Sequence, residues 1–448
     1  MTPVDRLIDG LSAAGEKTAL ITGPDTLTFG DLADAVADWT RRFEQSGLTP
    51  GTVVLLKGDF TTDGIAALLA LLHRKAIVIP LAPASEEMAE TFAGEGRAQV
   101  RVVTATGQIG ALPGDGAHDL YDRLRTEAAP GIVLFSSGST GKAKGVVHNA
   151  HRLLEKFAEP GKDLVTLAFL LFDHIAGLDT LFYALANRST LVLPTSRAPE
   201  EVCRLIAAHG VEVLPTAPSF LNLMLLSEAY RHHDLSSLKI VTYGSEVMPE
   251  ATLRKCASVL PHVKLIQKYG TSEVGALPTR SRDNTSTWLQ LGGAGYDWRV
   301  RDGRFEIRAR TAMIGYLNAP SPFTEDGYFM TGDRVETDGD YVRFLGRDSD
   351  MITVGGQKVF PAEVENAIKD LDLVAEVAVR GIPHAILGQA VLARIRPSDP
   401  ATTLPAVRAA VRQHLAGRLE PYKVPQKYEL ATGPLTTDRF KTDRKAGQ

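Results

Sequence analysis

The stretch "LFSSGSTGKAKGVVH", residues 134–148, decides how the rest of the chain is read. A Walker phosphate loop needs G-x-x-x-x-G-K-[ST], with a hydroxyl after the lysine to reach magnesium. Here Gly141 and Lys142 are followed by Ala143, and Ser136 stands where the first glycine is required. The segment is not a Walker loop, yet it is dense in what phosphates need. Ser136, Ser137, Ser139 and Thr140 offer hydroxyl donors, and Lys142 and Lys144 offer charge. Gly138 and Gly141 let backbone N–H groups turn toward an anion. The loop follows the strand-like "GIVLF" and precedes a helix expected to open near Asn149, a residue type that caps helices. Taken alone, the same residues also make an ordinary surface turn.

Outward from this loop, the first three quarters of the chain alternate β-rich runs with helical patterns. "VVLLKGD" precedes "TDGIAALLALLHRK", "AIVIPLA" precedes "SEEMAETFAG", and "STLVLPT" leads through "APEEVCRLIAAHG" to "VEVLPT". That rhythm predicts parallel sheets covered by helices. Between about Gly303 and Arg347 the pattern changes to antiparallel strands and hairpins, with a turn at Asp338-Gly339. A compact segment of helices and strands follows. The fold class expected is α/β: a large N-terminal domain of helix-covered sheets with a small β subdomain, residues 1–346, joined by a hinge near 347–350 to a small α+β domain, 351–448.

Composition narrows the function. The 448 residues carry 44% apolar and 23% charged side chains and a formal net charge of −4, so no bulk field attracts nucleic acid or an anionic membrane. The opening "MTPVDRLIDG" has no long apolar core and argues against a signal peptide. The greasiest runs fall short of the roughly 20 residues a membrane span needs. Cys203 and Cys256 are far apart, with no metal-ligand spacing around them, and are expected to be buried thiols. A cytoplasmic protein without nucleic-acid partners or a membrane span is expected.

Four further segments, in order, give the loop its context: "YGTSE" (269–273), "YFMTGD" (328–333), "GRDSDMITVGGQKVFPAEVE" (346–365) and "PLTTDRFKTDR" (434–444). With the loop they resemble the adenylate-forming superfamily of acyl-CoA synthetases, aryl-acid ligases, luciferase and nonribosomal peptide synthetase adenylation domains, over nearly the whole chain. The resemblance implies that a carboxylic acid is joined to the α-phosphate of ATP, giving an acyl-adenylate and pyrophosphate, and then transferred to a thiol. Both reactants are anionic, so positioning and charge neutralisation carry the catalysis. It implies that Ser136, Ser137, Gly138, Ser139, Thr140, Gly141 and Lys142 hold phosphates, and that Tyr269 and Gly270 form the adenine side, Tyr269 packing on the base. Thr271 would bind phosphate oxygens and Glu273 magnesium. Asp333 would accept the ribose hydroxyls, Arg347 would approach ribose or phosphate, and Lys441 would bridge the acid and the α-phosphate. Lys441 sits one residue later than the usual spacing, with Phe440 where glycine is frequent. Ser349 replaces the usual charged hinge residue, and Thr353 a frequent lysine.

"LLFDHIAGLDT" is similar to the family's acid-pocket helix, with His174 at the gating position and Ile175 where amino-acid-activating members keep an aspartate. Isoleucine cannot pair with an ammonium, so a non-amino, mainly apolar acid is expected; a register shifted by one would put Asp173 nearer that position. A buried core histidine remains the alternative for His174. "TYGSEVMPE" is similar to the strand and loop lining acid and adenine, with Gly244 as a wall and Tyr243 beside the acyl group. Lys268 stands where a small residue is usual. It closes a short pocket, pairs with a second acidic or polar group, or points outward to solvent. Gly355 and Gly356 fit a narrow pantetheine tunnel, or a simple turn. The implied reactants are ATP, Mg2+ and CoA or a phosphopantetheine arm. The expected activity is an AMP-forming acid–thiol ligase. The alternatives are an enzyme that loads a separate carrier protein, and an inactive nucleotide- or acyl-binding relative.

Overall fold

Short apolar runs bounded by Gly, Pro and Asp form the strands, and the capped amphipathic runs between them form the helices. The computed structural model describes residues 1–137, 143–437 and 441–444. Two seven-stranded sheets make the large N-terminal part. The first runs in the order Lys264–Gln267, Ile240–Tyr243, Val213–Thr216, Thr166–Leu167, Leu191–Leu193, Thr18–Thr22, Asp25–Thr28, parallel except for the last pair. In the second, Gly131–Ser137, Ile77–Leu81, Val53–Lys57 and Val100–Val103 run parallel, with antiparallel strands at both edges.

The helix Thr62–His73 is buried continuously from Gly64 to Leu72. A helix apolar on every side belongs between layers. It shares one core with Leu20 and Leu191 of the first sheet and Val54, Val78 and Ile132 of the second. Each leucine so buried contributes about 1.5–3 kcal/mol. The Thr61 hydroxyl caps it, accepting from Gly64 N at 3.0 Å.

The loop at 138–142 is not followed directly by a helix. Gly131–Ser137 is paired antiparallel with Ala143–Asn149, in register from Gly131 opposite Asn149 to Ser137 opposite Ala143. Val146 and Val147 are fully buried, so β-branched packing keeps this segment extended. The helix begins only at Ala150, where the Asn149 side chain accepts from His151 N and Arg152 N. Residues 131–137 and 143–149 are thus the two arms of a hairpin, and the helix opens at Asn149 as the sequence predicts.

Six antiparallel strands between Thr279 and Arg347 form a third sheet, in which Phe329–Asp338 turns into Tyr341–Arg347 through Gly339 at φ +57°. A one-turn helix, Asp348–Asp350, follows. Beyond it lies the smaller α+β part. There the long strands Val374–His384 and Gly388–Pro397 pair antiparallel and are flanked by shorter ones. Helices Pro361–Lys369 and Leu404–Leu415 cover the sheet through Val364, Ile368, Val407 and Val411. The fold is the mixed α/β class that the sequence predicts. Among the described residues no helix is long and apolar enough to cross a membrane. Cys203 and Cys256 are both buried free thiols, pushed up to about 12 by desolvation.

Candidate functional site

Ligand sites in open parallel sheets lie beyond the carboxyl ends of the strands. The first sheet obeys this rule: Ile240–Tyr243 and Lys264–Gln267 run out into a cavity of about 600 Å3. Glu246 and residues 268–271 line it from that side. Asp333, Phe344 and Arg347 come from the antiparallel sheet, Glu365 from the helix Pro361–Lys369, and Lys441 and Arg444 from the far end of the chain. The volume suits a drug-sized or nucleotide-sized ligand.

Tyr269 is held by its neighbours on every side. Its ring stacks on Phe344 at 4.1 Å and meets Phe305 edge-on at 5.3 Å. Its hydroxyl donates to Asp333 Oδ2 at 2.6 Å. Arg347 Nε donates to the other oxygen, Oδ1, at 3.2 Å, so each carboxylate oxygen already holds one protein donor and keeps a second lone pair. Asp333 is only 8% exposed, and burial raises its carboxyl above the ordinary aspartate value despite Arg347. Burial, with the same carboxylate beside it, pushes the Tyr269 phenol well up.

Thr271 is buried, and its hydroxyl accepts from Glu273 N at 3.2 Å, which shapes a tight turn. Glu273 Oε1 accepts from the Tyr316 hydroxyl at 2.7 Å. The strand Gly315–Tyr316 pairs with Val146 and Val147, so Glu273 stands beside the base of the glycine hairpin. Lys144 lies over the Tyr316 ring at 5.2 Å. His148, at the other end of the return strand, holds Ser272 O from Nε2 at 2.6 Å. Full burial lowers the His148 imidazole to about 4, so it is neutral at pH 7. Of the loop itself, Ser136 pairs with Lys144 across the hairpin. Gly138, Ser139, Thr140, Gly141 and Lys142 lie outside the described residues, as does the Ser137 side chain. Among the described residues no three His, Cys, Asp or Glu side chains are grouped to hold a metal. Glu273 is a carboxylate that could serve as a magnesium ligand here.

Lys441 is fixed by its backbone. Its N–H donates to Thr437 Oγ1 at 3.2 Å and its carbonyl accepts from Thr437 N at 2.8 Å. The next residue donates from Thr442 N to Glu246 Oε1 at 2.9 Å, which ties the tail to the first sheet. Glu246 also accepts from Ser219 Oγ at 2.7 Å, and burial raises its carboxyl. Arg444 forks onto Glu365 through Nε to Oε1 at 2.8 Å and Nη2 to Oε2 at 2.7 Å. Glu365 is 3% exposed and takes Val379 N on Oε1 as well.

The expected acid-side residues divide. Gly244 is required by close approach, because a Cβ there would sit 2.7 Å from Lys268 O. Lys268 lines the cavity, and desolvation lowers its ammonium from the usual lysine range. Tyr243 is corrected: it points with Val241 to the opposite face of its strand, into the core beside Cys256, and does not meet the cavity. Ile175 is likewise a core residue, packed with Phe172 and Leu178. His174 caps the helix Ile175–Ala186, its Nδ1 accepting from Ala176 N at 3.3 Å, and neither residue lines the cavity. Gly355 and Gly356, at φ +57° and +85°, form the turn between Ile352–Val354 and Gln357–Val359, also away from the cavity.

Four site residues went unassigned from sequence. Glu365 and Arg444 sit inside the quoted "PAEVE" and "KTDR", and Glu246 inside "TYGSEVMPE". Phe344 had no local signal, since its stacking on Tyr269 joins strands far apart in the chain.

Comparison with known proteins adds to this geometry. Residues 122–296 match the family described as AMP-binding enzyme, and residues 363–438 the AMP-binding enzyme C-terminal domain. A 3-[(3aS,4S,7aS)-7a-methyl-1,5-dioxo-octahydro-1H-inden-4-yl]propanoyl:CoA ligase of Rhodococcus jostii is 30% identical, covering 92% of this chain and 91% of the relative. The ligase of the same name from Mycobacterium tuberculosis is 28% identical, covering 94% and 93%. The crystal structure of the anthranilate CoA ligase AuaEII in complex with anthranoyl-AMP superposes with a TM-score of 0.82 at 20% identity, over 99% of this chain and 96% of that one. That last likeness is one of fold.

Proposed function

We propose that this chain, which belongs to the AMP-binding enzyme family, is an ATP-dependent acid–thiol ligase that makes an acyl-CoA. The carrying observation is one cavity lined by Tyr269, Thr271, Asp333, Arg347 and Lys441, from three separate parts of the chain. The names of the two relatives, both CoA ligases over nine-tenths of the chain, support the choice of CoA as acceptor.

In the first step a carboxylate oxygen attacks the α-phosphorus, and pyrophosphate leaves. In the second a thiol sulfur attacks the acyl carbon, AMP leaves, and the thiol loses its proton. On this reading Asp333 receives the ribose hydroxyls on the lone pairs that Tyr269 and Arg347 leave open. Thr271 and the glycine hairpin hold phosphate oxygens, and Glu273 would hold a magnesium ion, which would supply positive charge beside the phosphates. Lys441 lies between the acid and the α-phosphate. There its charge counts most as negative charge gathers in the transition state.

The turn at 348–350 is the hinge in this proposal. Asp348 is bound to Arg304 Nε at 2.6 Å and to Arg334, both on the antiparallel sheet. Asp350 faces Arg444 of the tail at 3.4 Å. Ser349, between them, is the residue free to absorb the φ/ψ change that would swing the smaller part and bring Gly355 and Gly356 toward the acyl group. The test is acid-dependent consumption of ATP with free CoA or a pantetheinylated carrier protein as acceptor. Acyl-CoA as the product supports the proposal. Acyl transfer to carrier alone replaces CoA with the carrier as acceptor.

A further inference from the structure

We infer that Lys268 is a specificity residue for a second carboxylate on the substrate, so that the preferred acid is a dicarboxylate whose far end meets this ammonium. The inference rests on the cavity being the acid and ATP site. Lys268 leaves the carboxyl end of Lys264–Gln267, lines the cavity, and lies beside Tyr269. Its charged neighbours are Asp179, on the helix Ile175–Ala186, and Lys156. Lys156 already takes Asp179 in a close, mostly buried ion pair and also donates to Ala276 O at 3.3 Å. Two cations thus share one anion beside Lys268, and Lys268 makes no ion pair among the described residues.

A desolvated ammonium without a counter-charge is costly, and a lysine that only closed a short pocket would be replaced without loss by an apolar side chain. Its desolvation argues against an ammonium that points outward to water. A neutral acceptor such as a ketone would give a hydrogen bond and leave the charge unbalanced. A carboxylate gives both, and it makes this corner of the cavity electroneutral. An apolar body between the two carboxylates keeps the expectation of a mainly apolar, non-amino acid.

The test uses acids of equal length that end in a methyl, a ketone or a second carboxylate. Their binding is measured by calorimetry with the full chain and ATP, and their ATP–pyrophosphate exchange in parallel. The wild type is expected to bind the dicarboxylate on the order of 100-fold more tightly than the methyl acid, the size of a buried charge pair. Lys268→Met should bring that ratio near 1, and Lys268→Arg should retain most of it, which separates loss of the charge from misfolding. A ratio near 1 in the wild type, a ratio unmoved by Lys268→Met, or a preference for the ketone overturns the inference. The two readings fail differently. Lys268-dependent dicarboxylate binding without any exchange refutes adenylation and supports this inference. Exchange with methyl acids at an unaltered ratio in Lys268→Met does the reverse.

Discussion

Asp333→Asn should weaken ATP binding and stabilise the empty protein at the same time. The carboxylate accepts from Tyr269 OH at 2.6 Å on one oxygen and from Arg347 Nε at 3.2 Å on the other. An asparagine can satisfy Arg347 only by turning its carbonyl that way. Its NH2 then faces Tyr269, whose hydroxyl must accept instead of donate. One oxygen is lost to the ribose, and with it one charge-assisted hydrogen bond, about 1.5–3 kcal/mol or 10- to 100-fold in ATP affinity. Stability moves the other way. The Asp333 carboxyl is raised by burial, so its folded value lies above its unfolded one. Such a group favours folding at low pH and disfavours it once pH has risen through the folded value. A neutral amide removes that burden. The Arg347 partner is 56% exposed, so losing its ion pair costs little. The empty variant is expected to melt higher than wild type at a pH where the carboxylate is charged, as at a site that trades stability for function. ATP titration and ligand-free thermal melts measure both. A variant that melts lower than wild type, with ATP affinity intact, would refute the reasoning.

Three further outcomes follow from other parts of the site. His148 is lowered to about 4 in the folded state against 6.5 unfolded, so stability is lost as pH falls through that window, about 2 kcal/mol by pH 5; denaturant midpoints should show this slope in wild type and a smaller one in His148→Gln, and equal slopes would contradict it. Ser349→Pro should keep acid-dependent exchange within about threefold and lower acyl-CoA formation at least about tenfold, since only the second step needs the swing; equal loss of both would remove Ser349 as the hinge. Arg444→Met leaves buried Glu365 without its fork and should loosen the tail that carries Lys441, lowering exchange on the order of 100-fold, with partial recovery in Arg444→Lys; unchanged exchange would mean that this docking does not position Lys441.

Much of the fold was legible because alternation of strand and helix patterns is a local property. "TDGIAALLALLHRK" gave the interlayer helix, and Asp338-Gly339 the hairpin turn. The site motifs were legible because each needs a few residue types in close spacing. What escaped was the direction of side chains and the meeting of distant segments. Tyr243 and Gly244 are adjacent, yet strand alternation sends Tyr243 into the core while Gly244 passes close to the Lys268 backbone. The helix start at Asn149 was legible, since that side chain does cap it, but the return strand before it was not. Pairing of Val146 and Val147 with Leu134 and Val133 keeps the segment extended up to Asn149. The fork of Arg444 on Glu365 joins residues 79 apart, and the local pattern of neither residue predicts it.

The central claim is that Lys441 and the residues around Asp333 form one adenylating site, and acid-dependent ATP–pyrophosphate exchange tests it most directly. Wild type should exchange with at least one class of carboxylic acid, and Lys441→Ala should lose that exchange by at least about 100-fold while still binding ATP. Exchange at the wild-type rate in Lys441→Ala, or ATP binding without exchange for any acid, would contradict the account.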